Sequence, residues 1–471
     1  MITITRDQAR QIRTVFRRVL GITARSRAPT MLFDVQQNRL SIRATHDNVA
    51  IECRLPGEFQ RDKLYVSFEI LAECAARSNT PVTLDAQADQ VVARWQSKGV
   101  PCSTTRELVK DEFEFPAKPS AMTSNPRELL VAIRAAAEVT TKDSARFALH
   151  CIQLRGSKGD VSATDGFQLL VQRGFDFPWE EDLLVHPSGL FDYSGLNETD
   201  TISVGRGKNH VVVQLGPYTL FLPIERGVQF PHIDDHIPAG DSATTTLTIA
   251  EDDAAFLLDS IKDLPSEREP NSPVTLDLNG SIALLARDEQ TQATTQIVFS
   301  NSKRTGTQAH FNTNREFLVR ALRLGLRTFY LKGAERPARA GDRFRDYIWM
   351  PLSPDGAVKP TKSTKCLVSP VNAAALNSNQ SNTKRDYTTM ANRISKKDQT
   401  TNGNGKSHHK SQSDNVSLES LTVQAESLKV TLREATTQVA DLLTAIKRHR
   451  KHNKLVQSTL ASLRQIQTLD A

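Results

Sequence analysis

A short apolar strand followed by an amphipathic helix recurs three times along the chain. The copies begin near Ile4 (ITITRDQARQIRTVFRRVL), near Met122 (SAMTSNPRELLVAIRAAAEV) and near Leu247 (TTLTIAEDDAAFLLDSIKDL). In each, a Thr, Asn or Ala precedes the helix, and apolar residues then return at three- and four-residue steps, as one buried helical face requires. Ile12, Val15, Phe16 and Val19 mark that face in the first copy, and Leu129, Leu130 and Ile133 in the second. Further along each copy comes a second motif: an apolar strand, a Ser, Pro or Thr, and a shorter helix. These read LYVSFEILAECAA, LLVHPSGLFDYSGL and HFNTNREFLVRALRLG, with helix starts at Ser67, Pro187 and Thr313. Between the helices lie runs such as VTLDAQADQVVARW, HVVVQLGPYTLFLPI and VTLDLNGSIALLARD. Their alternation predicts antiparallel strands with one buried face. The body is therefore expected to be α+β: three tandem copies, at 1–120, 121–243 and 244–353, of a two-helix domain that is itself a doubled β-α-β-β-β unit.

The pattern changes after the third copy. From Pro360 the chain turns to Ser, Thr, Asn, Lys and Gly, so 354–415 reads as a flexible linker. From Leu421 a three–four repeat sets in: Leu421, Ala425, Leu428, Leu432, Ala435, Val439, Leu442 and Ile446. This predicts a coiled-coil helix within 416–471. Its register reaches Val456, Leu460 and Leu463 but is interrupted by His449 and Asn453, so a long helix with a polar break and a helical hairpin both fit.

Charge and composition sharpen this division. The net charge of +7 over 471 residues splits into +9 on residues 353–471 and −2 on the rest. Any nucleic-acid contact by the body must then come from a local patch. No apolar run is long enough to span a membrane, and the N-terminal stretch lacks the apolar core of a signal peptide. The five cysteines, Cys53, Cys74, Cys102, Cys151 and Cys366, are odd in number and never at C-x-x-C spacing. That argues against a disulfide framework or a structural zinc site, and fits a reducing cytoplasm. His232-Ile233-Asp234-Asp235-His236 offers metal-type side chains without a third ligand group, and no metal or cofactor is expected. A phosphate loop, G-x-S-x-G and H-E-x-x-H are all missing, which argues against an enzyme.

Three segments carry a resemblance. The first is Ser144-Ala145-Arg146-Phe147-Ala148-Leu149-His150 with Val161-Ser162-Ala163-Thr164-Asp165-Gly166-Phe167-Gln168-Leu169. The second is Gly227-Val228-Gln229-Phe230-Pro231-His232-Ile233, running on to Pro238. The third is Tyr347-Ile348-Trp349-Met350-Pro351-Leu352. Over about residues 1–352 the chain resembles the bacterial DNA polymerase III beta subunit, the sliding clamp. That family has an R-Y-x-L-x-G-x strand with an A-T-D-G-H-R-L turn, a G-x-F-P-x-Y crossing and a terminal Y-V-V-M-P-M.

The resemblance implies a replication processivity factor: a head-to-tail homodimeric ring around duplex DNA, put in place by an ATP-driven clamp loader and tethering the replicative DNA polymerase. It implies an apolar pocket for partner peptides at Leu149, Thr164, Gly166, Leu169, Pro231, Ile348, Met350, Pro351 and Leu352. It also implies a helix-lined hole whose sequence-independent DNA contacts would come from Arg10, Arg13, Arg17, Arg27, Arg127, Arg134, Lys142, Arg146, Arg320, Arg323 and Arg327.

The chain departs from the family in four places. Phe167-Gln168 replaces His-Arg, His236 stands at a small apolar position, and 119 residues follow Leu352. The positive lining is uneven: HPSGLFDYSGL lacks basic residues and the fifth helix opens Glu251-Asp252-Asp253. These departures keep an alternative open, a clamp-derived scaffold that no longer encircles DNA and whose partner is set by the coiled coil. The extension leaves the body beside the pocket, so it would either associate through its helix or cover the pocket.

Overall fold

The computed structural model describes residues 1–371, apart from 37, 60–61, 110–112, 142–146, 190, 192–200, 239–241, 266–270, 289 and 362–363. The expected coiled coil at 416–471 and most of the linker lie outside the described residues.

The first repeat runs β1 (Ile2–Thr5), α1 (Arg6–Val19), β2 (Thr30–Gln36), β3 (Arg39–His46), β4 (Val49–Pro56), β5 (Lys63–Ser67), α2 (Glu69–Cys74), β6 (Pro81–Gln87), β7 (Gln90–Ser97) and β8 (Val100–Glu107). The second runs β9 (Met122–Pro126), α3 (Glu128–Ala137), β10 (Ile152–Arg155), β11 (Asp160–Thr164), β12 (Gln168–Arg173), β13 (Asp182–Val185), β14 (Thr201–Arg206), β15 (His210–Leu215) and β16 (Tyr218–Pro223). The helix expected from Pro187 falls largely outside the described residues. The third runs β17 (Thr245–Thr248), α4 (Glu251–Ser260), β18 (Pro273–Asp277), β19 (Ala283–Arg287), β20 (Thr294–Val298), β21 (Lys303–Gly306), β22 (His310–Asn314), α5 (Arg315–Arg323), β23 (Thr328–Leu331), β24 (Ala338–Gly341) and β25 (Arg345–Trp349).

Local chemistry explains the helices. Thr5 caps α1 by accepting from the Gln8 amide, while the Gln8 side chain accepts from the Thr5 amide. This reciprocal pair satisfies two otherwise orphaned donors. Ala9, Ile12, Val15, Phe16 and Val19 bury one stripe of the helix, leaving its arginines on the other side. Asn314 caps α5 through the Glu316 amide, one residue after the Thr313 start read from the sequence. The acidic opening of α4 suits the positive end of a helix. Asp253 there is fully buried and accepts from Asn301, Ser302 and Ser369.

Each repeat contributes two half-sheets, and the repeats join by pairing the fourth strand of one with the last strand of another. In the first, β5-β2-β3-β4 continues into β16-β15-β14-β9 of the second, making eight strands. In the second, β13-β10-β11-β12 continues into β25-β24-β23-β17-β21 of the third, making nine. Both joints are antiparallel, with Ile51 opposite Leu220 in one and Leu169 opposite Ile348 in the other. What remains is β1-β6-β7-β8 at the start of the body, where β8 is an edge, and β22-β18-β19-β20 at its end.

That last half-sheet corrects the linker reading for 354–371. The chain turns at Pro354–Gly356, buries Val358 against Ala283 and Leu285, and adds β26 (Lys365–Val368) in parallel beside β20. A backbone paired in a sheet is structure, whatever its polar composition.

The first joint is held by a buried carboxylate. Glu52 on β4 is 1% exposed and lies opposite Thr219 of β16. It accepts from Ser41 at 2.7 Å and pairs with Arg43 and Arg54 at 3.0 Å and Lys118 at 2.9 Å. Burial pushes its carboxyl up, but the Ser41 and Lys118 hydrogen bonds and the Lys118 and Arg54 charges outweigh burial and hold it at about 2, below the ordinary 4.5. A depressed folded-state pKa stabilises fully above the unfolded value, and the contribution is lost as pH falls from 4.5 towards 2. Thermal unfolding from about pH 5 to about pH 3 should show this loss, and Glu52→Gln should flatten the acid limb while costing on the order of 1–3 kcal/mol at neutral pH.

Candidate peptide and nucleic-acid surfaces

Three segments distant in sequence meet where the second repeat joins the third. The Thr164–Gln168 turn is set by its own side chains. Asp165 accepts from the amides of Phe167 and Gln168 at 2.8 and 2.9 Å, and Thr164 accepts from the Gly166 amide at 3.1 Å while donating to the Gln168 carbonyl at 2.7 Å. Such side-chain-to-backbone bonds define the turn. Gly166 sits at φ +93°, which only glycine adopts without strain. An added Cβ would lie 4.0 Å from Leu149 Cδ1, so conformation rather than space selects glycine.

The crossing between repeats, Gln229 to Ile237, is the second segment. The Ala148 amide donates to the Gln229 carbonyl at 3.1 Å, laying the Phe147–Leu149 stretch along it. Asp234 receives two bonds from Arg155, at 2.8 and 2.7 Å, and one from Lys158 at 2.7 Å. These bonds hold its carboxyl well below the usual range. The acidic pair flanked by His232 and His236 is thus partly an anchor onto β10, and both histidines are exposed. Beneath the crossing is a cavity of about 300 Å³, lined by Leu184, Phe230, Pro231 and Ile233 on its apolar side and Gln153, Arg155, Asp182 and Asp234 on its polar side.

β25 is the third segment. Its pairing to β12 is fixed by Tyr347, whose hydroxyl donates to Gln168 Oε1 at 2.6 Å, and by buried Asp346, which binds Arg173 at 2.7 Å and Arg339 at 2.6 Å. Trp349 donates its Nε1–H to Thr313 at 2.9 Å. The Met350 amide then donates to the Phe167 carbonyl at 2.9 Å, so two exposed apolar side chains stand side by side, Phe167 at 67% and Met350 at 43% exposure.

The residues expected to form a pocket thus divide. Leu169 and Ile348 join Ala148, Cys151, Val171, Leu184, Phe230 and Ile233 in one buried cluster, and are its floor. Thr164 is buried within the turn. Leu149, Pro231, Pro351 and Leu352 are half-buried, and Met350 is open. Sequence reasoning missed Phe230, Ile233 and Ile237, because an irregular crossing has no period to reveal which side faces inward. Of the pair that replaces His-Arg, Phe167 is exposed and Gln168 is buried.

A second feature went unread. His150, Cys151 and His186 bring their ligand atoms within 4.8 Å of one another, the converging group of metal-type side chains among the described residues. His186 Nε2 lies 3.0 Å from Glu225 Oε2. Burial, then the Glu225 charge, pushes the Cys151 thiol up to about 12. A thiol in that state packs as a small apolar group.

The arginines expected to meet phosphate also divide. Arg13 and Arg17, with Arg18, border a shallow depression at the end of α1. Arg27, Arg127 and Arg323 are exposed and carry no ion pair among the described residues. Others are engaged within the chain: Arg10 with Asp7 at 2.9 Å, Arg327 with Glu251 at 3.0 Å, Arg320 with Gln168 and with Glu138 at 3.8 Å, and Arg134 with the Phe191 carbonyl. Lys142 and Arg146 lie outside the described residues.

No family model and no curated protein matches the sequence. Solved structures do match in fold. The DNA polymerase III beta subunit sliding clamp of Pseudomonas aeruginosa, solved bound to griselimycin, superposes with a TM-score of 0.62 at 17% identity, over 75% of this chain and 99% of that one. The beta subunit of Thermotoga maritima gives 0.60 at 15%, over 75% and 99%. The beta chain of Streptococcus pneumoniae gives 0.62 at 15%, over 74% and 99%. The fold is that of the DNA sliding clamp. The likeness spans nearly the whole length of those clamps and about three quarters of this chain. No helix among the described residues is long and apolar enough to cross a membrane.

The division between buried Leu169 and open Met350 has a measurable consequence. Leu169→Ala should cost about 2–5 kcal/mol of stability because it opens the floor of a packed cluster. Met350→Ala should leave unfolding within about 0.5 kcal/mol of the parent chain. Thermal or denaturant unfolding of the two variants checks both.

Proposed function

We propose that this chain is a working DNA sliding clamp. Two copies close head to tail around duplex DNA, and the ring tethers a replicative DNA polymerase without chemistry of its own. The observation that carries this reading is the likeness of the two joints within the chain. β4 pairs with β16 and β12 with β25, each time the fourth strand of one repeat with the last strand of another. The strands left over are β20, a fourth strand, and β8, a last strand. They are complements, and pairing β20 of one copy with β8 of another completes a closed ring of two. Low identity to the solved clamps carries the fold and no more, so this function rests on the joints and surfaces themselves.

Partner peptides would dock where Phe167 and Met350 stand open above Leu169 and Ile348, with Leu149, Thr164, Gly166, Pro231, Pro351 and Leu352 around them. A soft, polarizable Met beside aliphatic side chains suits several different peptides. DNA would be met by Arg13, Arg27, Arg127 and Arg323 as phosphate contacts and by the terminal nitrogens of Arg17, whose Nε donates to the Ile22 carbonyl at 3.2 Å, with Arg10, Arg134, Arg320 and Arg327 reaching phosphate only by exchanging their present partners. Placement by an ATP-driven loader in the cytoplasm belongs to the same reading.

The scaffold alternative draws on one observation, the engagement of those four arginines by the chain's own groups. The decisive experiment loads the protein on circular DNA. A working clamp stays on the circle and slides off when the circle is cut, while a scaffold is indifferent to the cut. Replacing Arg13, Arg17 and Arg27 together should reduce the salt slope of DNA binding by up to about 3, at ~0.9 per phosphate contact. Met350→Ala should weaken binding of a polymerase-tail peptide by about 1–3 kcal/mol.

A further inference from the structure

The edge that ring closure needs is occupied. β20 is the fourth strand of the third repeat, the counterpart of β4 and β12, and both of those carry a last strand from another repeat. β20 instead carries β26, the chain's own Lys365–Val368. The pairing is parallel where both joints are antiparallel, and Thr295, Gln296, Ile297 and Val298 face Lys365, Cys366, Leu367 and Val368. That is four pairs, as many as β4 makes with β16.

The strand is not loosely laid down. Before it, Val358 is 2% exposed against Ala283 and Leu285, and its amide donates to Thr275 at 2.8 Å. After it, Ser369 is 1% exposed. Its hydroxyl donates to Asp253 at 2.5 Å and accepts from the Ser300 amide at 2.9 Å, and its carbonyl accepts from the Ser300 hydroxyl at 2.7 Å. Its amide donates to the Val298 carbonyl at 3.0 Å, and Asn301 donates to the Pro370 carbonyl at 2.8 Å. Asp253, fully buried at the start of α4, thereby ties the extension to the third repeat. Among the described residues β8 is paired on one side only, by β7. Its first residue, Val100, is 61% exposed.

We propose that the outer edge of β20 is a strand-receiving surface with two mutually exclusive occupants: the chain's own Lys365–Val368, and β8 of a second copy. The backbone groups on one side of a strand pair with only one neighbour, so the two compete for the same donors and acceptors. With the strap in place the chain is a closed-off monomer. Ring closure requires the strap to leave. This rests on the ring reading, and it adds that the extension governs assembly.

The test uses the full chain with Cys102→Ser, which removes the thiol on β8. Gln296→Cys places a thiol opposite native Cys366, at a separation that neighbouring strands offer a disulfide. Oxidation locks the strap, and reduction frees the same molecule. Ser369→Asp sets a second carboxylate against Asp253 and releases the strap without touching the sheet. Sedimentation then reads assembly, and circular dichroism confirms that each variant is folded.

The disulfide should form readily. The locked chain should stay monomeric, and the Ser369→Asp chain should dimerise at least about tenfold more tightly than the parent. Failure of the disulfide to form in the folded chain overturns the proposal, because the strap is then not on β20. Dimers formed equally by locked, reduced and released chains overturn the shared edge, and whether those dimers stay on circular DNA until it is cut tells a ring from association through the extension. Monomers in every state overturn both.

Discussion

Backbone hydrogen bonding across repeats is the constraint on which this structure depends. A half-sheet of four strands ends in unpaired N–H and C=O groups, and an exposed edge of that kind invites other strands. Within the chain the problem is solved twice in the same way, by β4 with β16 and by β12 with β25. The side chains at each joint reinforce what the backbone begins. Glu52 gathers Ser41, Arg43, Arg54 and Lys118 at the first. At the second, Asp346 gathers Arg173 and Arg339, and Gln168 receives Tyr347. These groups are buried and paired, and removing one partner would leave a charge stranded, so the joints resist sliding in register as well as separation.

The exposed apolar spot at Phe167 and Met350 is a by-product of the second joint. Pairing β12 to β25 brings the Thr164–Gln168 turn beside Met350, and the Arg155–Asp234 bond pulls the crossing over the same spot. What stays exposed there is apolar because the turn spends its polar atoms on its own backbone. Thr164 and Asp165 are both committed to amides and carbonyls, leaving Phe167 and Met350 to face outward.

Much of this could be read from the chain. The three-fold recurrence of strand and helix gave the α+β repeat, since helical and strand periods survive in any sequence that buries one face. The A-T-D-G turn, the F-P crossing and the Y-I-W-M-P-L strand, far apart in sequence, are segments that the fold brings together. Three things were hidden, each for a physical reason. Phe230 and Ile233 lie in an irregular crossing, where inward and outward positions follow no period. The partners of Arg134, Arg320 and Arg327 depend on which carbonyls, carboxylates and amides the fold brings within reach. β26 is Lys365 followed by a three-residue apolar island, Cys366-Leu367-Val368, in a polar stretch whose average composition reads as linker. A strand that short needs only an edge to join, and an edge is invisible until the sheet is drawn.

The unlike ends of the body have a consequence for how copies add up. A contact between a fourth strand and a last strand is heterologous: it joins two different surfaces, so it leaves one of each unsatisfied at the ends of every open assembly. Two copies bent to the right curvature close on themselves. Copies that miss that curvature by a little keep adding and become a filament. A chain that carries its own cover for one of the two surfaces cannot propagate in this way, since each unit added must first uncover itself. Lys365–Val368 therefore stands as a chain terminator in the polymer sense, present on every monomer before polymerisation can begin.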